Sequence, residues 1–142
     1  MFAPVNLCIV QPTVGTVSET FLQAQAERLP CRTTVVHGSR PQINGQPVLS
    51  QSLPARVARK LWRTINGQPW SWERQHALAT AFRRTQAQVV LAQYGLIGAR
   101  VVDVCRDLRL PLVVQFHGYD ASKTEVIERH REGYAKIFEH AA

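Results

Sequence analysis

Two short apolar runs, QVVLAQ at 88–93 and PLVVQF at 111–116, are separated by one helix-length segment with tight connections at both ends. Strands joined through such a crossover helix lie parallel, with a right-handed connection. Parallel strands are covered on both faces, so this unit commits the chain to a layered α/β architecture. The other segments keep the same alternation. Val5 to Val10 is a β-branched apolar run that reads as the first strand, and Thr33 to Val36 as the second, ending at His37-Gly38. Gln46 to Leu49 follows the turn signal Asn44-Gly45 and is either an edge strand or part of a loop. Helices are expected over 19–29, Ser52–Ile65, Trp70–Thr85, Ala99–Leu110 and Gly133–Ala142. Ser18 or Thr16 is the expected cap of the first helix, and Ser122 with Glu125 the capping box of another. The sum is a three-layer α/β domain with a mostly parallel sheet of four or five strands.

A length of 142 residues holds one such domain, and 45% hydrophobic with 19% charged residues describes a chain that buries a core. No apolar run approaches the about 18 residues of a membrane span. The first ten residues lack the charged start and long apolar core of a signal peptide, which leads us to expect a cytoplasmic protein. Cys8, Cys31 and Cys105 show no paired spacing, so neither a disulfide framework nor a zinc site is expected, and Cys8 and Cys105 read as small buried residues. With no Asp-x-Asp pair and no histidine cluster of ligand spacing, no metal is expected.

The formal charge of +7 is concentrated. Arg56, Arg59, Lys60, Arg63, Arg74, Arg83 and Arg84 face a single acid, Glu73, between Gln51 and Gln86. No helix-turn-helix, zinc-finger or RNP-type sequence accompanies them, so nucleic acid is not the expected partner. Leu53, Val57, Leu61, Trp62 and Ile65 recur at helical spacing among the first four of these cations. Such a helix either lies in a membrane interface, with Arg56, Arg59, Lys60, Trp62 and Arg63 against anionic lipid, or packs its apolar stripe on the sheet.

Three loops at the carboxyl ends of expected strands carry the candidate site, since ligands of open α/β sheets collect there. They hold Gly15 with Ser18, Glu19 and Thr20; Gln93, Tyr94 and Gly95; and His117, Gly118, Tyr119 and Asp120. A glycine before a helix start lets backbone N–H groups approach a phosphate or carboxylate. His117 offers a titratable imidazole and Asp120 a carboxylate.

These runs, Val17 to Phe21, Leu91 to Gly95 and Leu110 to Asp120, resemble in order the N-terminal half of family-four retaining glycosyltransferases, closest to enzymes of the exopolysaccharide and colanic-acid type. The resemblance implies a Rossmann-like domain forming one half of a GT-B fold. It implies a nucleotide-diphosphate sugar as donor substrate, no other cofactor, and a saccharide or lipid-linked acceptor at the inner face of the membrane. By the same implication Gly15 lies near the donor diphosphate, His117 is the catalytic-site residue that reaches the transferred sugar or its leaving region, and Asp120 shapes the acceptor side. The chain departs from the family pattern at Gln93, where a histidine is frequent, and the paired glutamates of the donor half do not occur in residues 1–142. The expectation is an acceptor-side domain inactive alone; the alternatives are a non-catalytic sugar- or phosphate-binding domain and the acceptor subunit of a split transferase.

Overall fold

The computed structural model describes residues 4–12, 20–37 and 40–141. Six strands form one mixed sheet: β1 (Asn6–Gln11), β2 (Arg32–His37), β3 (Gln42–Ile43), β4 (Gln46–Pro47), β5 (Val89–Gln93) and β6 (Leu112–Gln115). The order is β4-β3-β2-β1-β5-β6. β1, β2, β5 and β6 are parallel, while β3 and β4 join antiparallel beyond β2. The sheet therefore has one strand more than the four or five expected, because the Asn44-Gly45 signal builds a real hairpin. Both residues sit at positive φ, 52° and 76°, as the tight turns matched to strand twist require.

Three consecutive residues of β1 (Cys8, Ile9, Val10) and four at the end of β5 (Val90 to Gln93) are buried. Neighbouring strand residues point to opposite faces, so both faces of the central sheet are covered. The helices among the described residues are α1 (Thr20–Arg28), α2 (Leu53–Ile65), α3 (Trp72–Arg84), α4 (Gly95–Leu108), α5 (Gly118–Ser122), α6 (Thr124–Arg129) and α7 (Arg131–His140). α4 is the crossover between β5 and β6, packed on both strands and flanked by α3 and α7. Phe82, Val101, Val102, Leu112 and Ile137 fill the core it shares with them.

Two boundaries differ from expectation for physical reasons. α4 begins at Gly95, four residues before the expected Ala99, since Gly95 and Gly98 serve close packing inside the helix. A Cβ on Gly98 would lie 2.8 Å from Val114 Cγ1 and 2.9 Å from Ile137 Cδ1, and one on Gly95 would collide with the Phe116 ring. Ser122 closes α5, its hydroxyl donating to the Gly118 carbonyl, and Lys123 takes the cap of α6 instead. In α7, Tyr134 and Ile137 are buried while Phe138 is exposed, stacking on Phe116 with centroids 5.9 Å apart.

Candidate functional site

The carboxyl ends of β5 and β6 bring Gln93, Tyr94 and His117 together. Parallel register sets Gln93 beside Gln115, two residues before His117. Gln93 is wholly buried, a costly place for an amide unless its donors and acceptors are used. They are used in a directed chain. The His117 ring meets Gln93 Oε1 through Nε2 at 3.2 Å. Gln93 Nε2 donates to Gln25 Oε1 at 2.8 Å, and Gln25 Nε2 donates to Gln115 Oε1 at 3.2 Å. Gln93 Oε1 accepts, so in this contact the His117 ring donates from Nε2. The relay thereby orients the imidazole and links α1 to β5 and β6.

Tyr94 lies against this ring, with centroids 4.1 Å apart. Its backbone adopts φ 76°, a region that L-residues occupy at a cost of about 1–3 kcal/mol. It is held there by its N–H donating to the Gln115 carbonyl at 2.8 Å.

Asp120 has a different place from the one its sequence position suggests. It is wholly buried, and its two oxygens accept backbone N–H groups from different loops: His117 at 2.7 Å, and Gly95 at the start of α4. The Tyr134 hydroxyl donates to its carbonyl at 3.2 Å. Burial first, and then the Asp120 charge, push the Tyr134 phenol above its ordinary value. Asp120 is thus a brace that positions the loops of Gln93 and His117, and Gly95 is a packing residue whose N–H it holds. Tyr119, by contrast, is exposed, with Lys123 Nζ 4.9 Å from its ring centroid, and Gly118 is exposed beside it.

Gly15, Ser18 and Glu19 lie outside the described residues, and of Thr20 only its place at the start of α1 is described. The sequence reasoning did not single out Gln25 and Gln115. A polar residue within PLVVQF signalled the second; nothing local signals the first, whose role depends on α1 bringing its side chain to Gln93 and Gln115. His37, ending β2 in register with Gln11, was also passed over. Its Nδ1 is buried without a hydrogen-bond partner among the described residues, and burial lowers its pKa. The runs Val36-His37-Gly38 and Phe116-His117-Gly118 echo one another in sequence.

The basic segment forms α2 as expected, but the apolar stripe does not pack on the sheet: α2 buries no residue, with Leu53 73% and Ile65 81% exposed. Its body-facing side is partly cationic. Arg59 bonds Glu73 at 3.0 Å, and Arg63 sits 3.8 Å over Trp70. Trp62 stacks on Trp72, centroids 4.6 Å apart. Arg56 and Lys60 are exposed. Among the described residues no helix is long and apolar enough to cross a membrane, and no group of three or more His, Cys, Asp or Glu side chains is placed to hold a metal ion.

No family model matches the chain, and neither a curated protein nor a solved structure is significantly similar to it.

Proposed function

We propose that this domain is the acceptor-side, Rossmann-like half of a nucleotide-sugar-dependent retaining glycosyltransferase that builds cell-surface polysaccharide. The observation that carries the reading is the directed relay from His117 through Gln93 and Gln25 to Gln115 at the carboxyl rim of parallel strands. A part-buried relay orients an imidazole, and an oriented imidazole can order sugar hydroxyls and face charge developing at an anomeric carbon. The nucleotide sugar calls for a second α/β half, in the same polypeptide or in a partner chain. Gln93 stands where the family often has histidine, and here it orients His117.

The second part of the reading is reversible association with the anionic cytoplasmic face of a membrane through α2. The exposed stripe Leu53, Val57, Leu61 and Ile65 supports it, with Arg56 and Lys60 alongside. A domain that holds a saccharide without acting on it is the alternative, favoured by the engagement of both Asp120 oxygens by backbone.

Titration of the isotopically labelled chain with oligosaccharides, followed by NMR, tests the rim. The Gln93 side-chain amide and the His117 ring should shift together, and His117→Ala should weaken binding at least tenfold while leaving the remaining spectrum folded. Absence of any shift at millimolar saccharide would overturn both the transferase and the binding-domain readings. Turnover in the presence of a donor-binding half decides between them.

A further inference from the structure

A groove of about 490 Å³ runs between α2 and α3 below the 40–51 segment. Six cations line it, Arg40, Arg56, Arg59, Lys60, Arg63 and Arg74, against the single carboxylate of Glu73. None of its lining residues belongs to the rim around Gln93 and His117. Like charges gathered in one concave surface repel, and the low-dielectric walls strengthen the field they present to an anion. Arg74 adds to that field beyond the groove: after burial, it is the second cause holding the Arg100 guanidinium below its ordinary value.

Arg59 shows what the groove lacks. Its side chain is only 16% exposed, and Nε bonds Glu73. Its Nη2 is buried without a hydrogen-bond partner among the described residues. Glu73 takes the Nε donor of that guanidinium and leaves the other cations of the groove without a carboxylate of their own in its lining, so an anion is the natural complement of the groove. Trp70 supplies the other chemistry. Arg63 covers its ring at 3.8 Å, yet the residue remains 82% exposed at the mouth of the groove.

We propose that this groove is a binding site for a phosphate monoester or diphosphate, with Arg56, Lys60 and Arg74 as donors and Trp70 as the platform for the group that carries it. Two sources share this chemistry, a lipid headgroup and a soluble phosphate ester. The site stands independently of the saccharide reading, since it shares no residue with the rim.

Calorimetric titration of the intact chain with inorganic pyrophosphate tests it, alongside vesicles of phosphatidylcholine containing either phosphatidic acid or phosphatidylserine at equal surface charge. Saturable one-to-one binding of pyrophosphate is expected, weakened at least tenfold in Arg56→Gln/Arg74→Gln and unchanged in the charge-matched control Arg83→Gln/Arg84→Gln. Preference for phosphatidic acid over phosphatidylserine, competed by pyrophosphate, assigns the site to a lipid headgroup; pyrophosphate binding without that preference assigns it to a soluble ester. Absence of pyrophosphate binding overturns the proposal, and so does equal loss in the Arg83/Arg84 control, which marks diffuse charge attraction. Circular dichroism of each variant confirms that the fold is kept.

Discussion

Asp120 accepts the backbone N–H of Gly95 across 25 residues of sequence, and with its other oxygen the N–H of His117. One carboxylate thereby ties the start of α4 to the loop after β6, and both donors sit at helix starts where backbone N–H groups lack intrahelical partners. Hydrogen bonds to a charged acceptor contribute about 1.5–3 kcal/mol each, and a buried N–H left unpaired costs about 1–3 kcal/mol. Asp120→Ala should therefore lower unfolding free energy by about 2–4 kcal/mol in a urea titration. Asp120→Asn keeps one acceptor oxygen and should fall between. An Asn variant with the native midpoint and an unperturbed His117 resonance would show that the brace is dispensable.

Gly98, inside α4, and Gly118, at the start of α5, should respond in opposite directions to a change to alanine. A methyl on Gly98 meets Val114 and Ile137 at under 3 Å, and Ile137 is fully buried. Overpacking of this kind costs about 1–3 kcal/mol, more than the helix propensity alanine returns. Gly118 has nothing within 4 Å of the same added atom and begins α5 without a positive φ. Gly118→Ala should then stabilise by about 0.4–1 kcal/mol through the unfolded state. Thermal melts of the two variants check the pair, and a Gly98→Ala protein as stable as the parent would contradict the close packing of α4 on β6.

The strands were legible because β-branched runs such as Val89-Val90-Leu91 and Leu112-Val113-Val114 have few other ways to be buried. The start of α4 was not. Gly95 and Gly98 have the composition of a turn, and only the positions of Phe116, Val114 and Ile137 reveal that they are contact surfaces. The strained backbone falls instead on Tyr94, a residue whose type gives no warning of it. His117 and Gln93 were visible as polar residues ending apolar strands. Gln25 was not, because its partner lies 68 residues away. Asp120 looked like a ligand because a carboxylate after a strand usually is available to one; its use by the Gly95 backbone is nonlocal. The amphipathic spacing of α2 told that an apolar face exists, and the structure adds that the described residues leave it uncovered.

Cys8 and Cys105 should be silent thiols. Burial raises both from the ordinary 9.0 to about 12, with the Thr85 hydrogen bond working slightly the other way at Cys8 and the Cys8 charge adding to the rise at Cys105. The unfolded chain ionises these groups near pH 9, whereas the folded chain keeps them protonated. Their contribution is complete below about pH 9 and is lost as pH rises toward the folded values, at up to about 1.4 kcal/mol per pH unit for each thiol. A chromogenic disulfide reagent at pH 8 should titrate one thiol, Cys31, in the native protein and all three after denaturation. Three fast equivalents without denaturant would refute the burial of β1 against α4.

The exposed stripe of α2 separates stability from membrane affinity. Leu61 and Ile65 touch mostly solvent, so Leu61→Ser/Ile65→Ser should change folding free energy by no more than about 0.5 kcal/mol for each site. In an interface the same side chains would leave water, and each is worth about 1.5–3 kcal/mol when fully buried. Flotation with vesicles rich in anionic lipid should therefore fall at least tenfold in this variant, and the tryptophan emission shift on vesicle addition should vanish with it. Raising salt should weaken the parent's binding, since Arg56 and Lys60 act through screened charge, but leave a residual apolar part that the serine variant lacks. A serine variant that floats like the parent would place the contact elsewhere, and one that unfolds would mean that the stripe is covered by another part of the protein in solution.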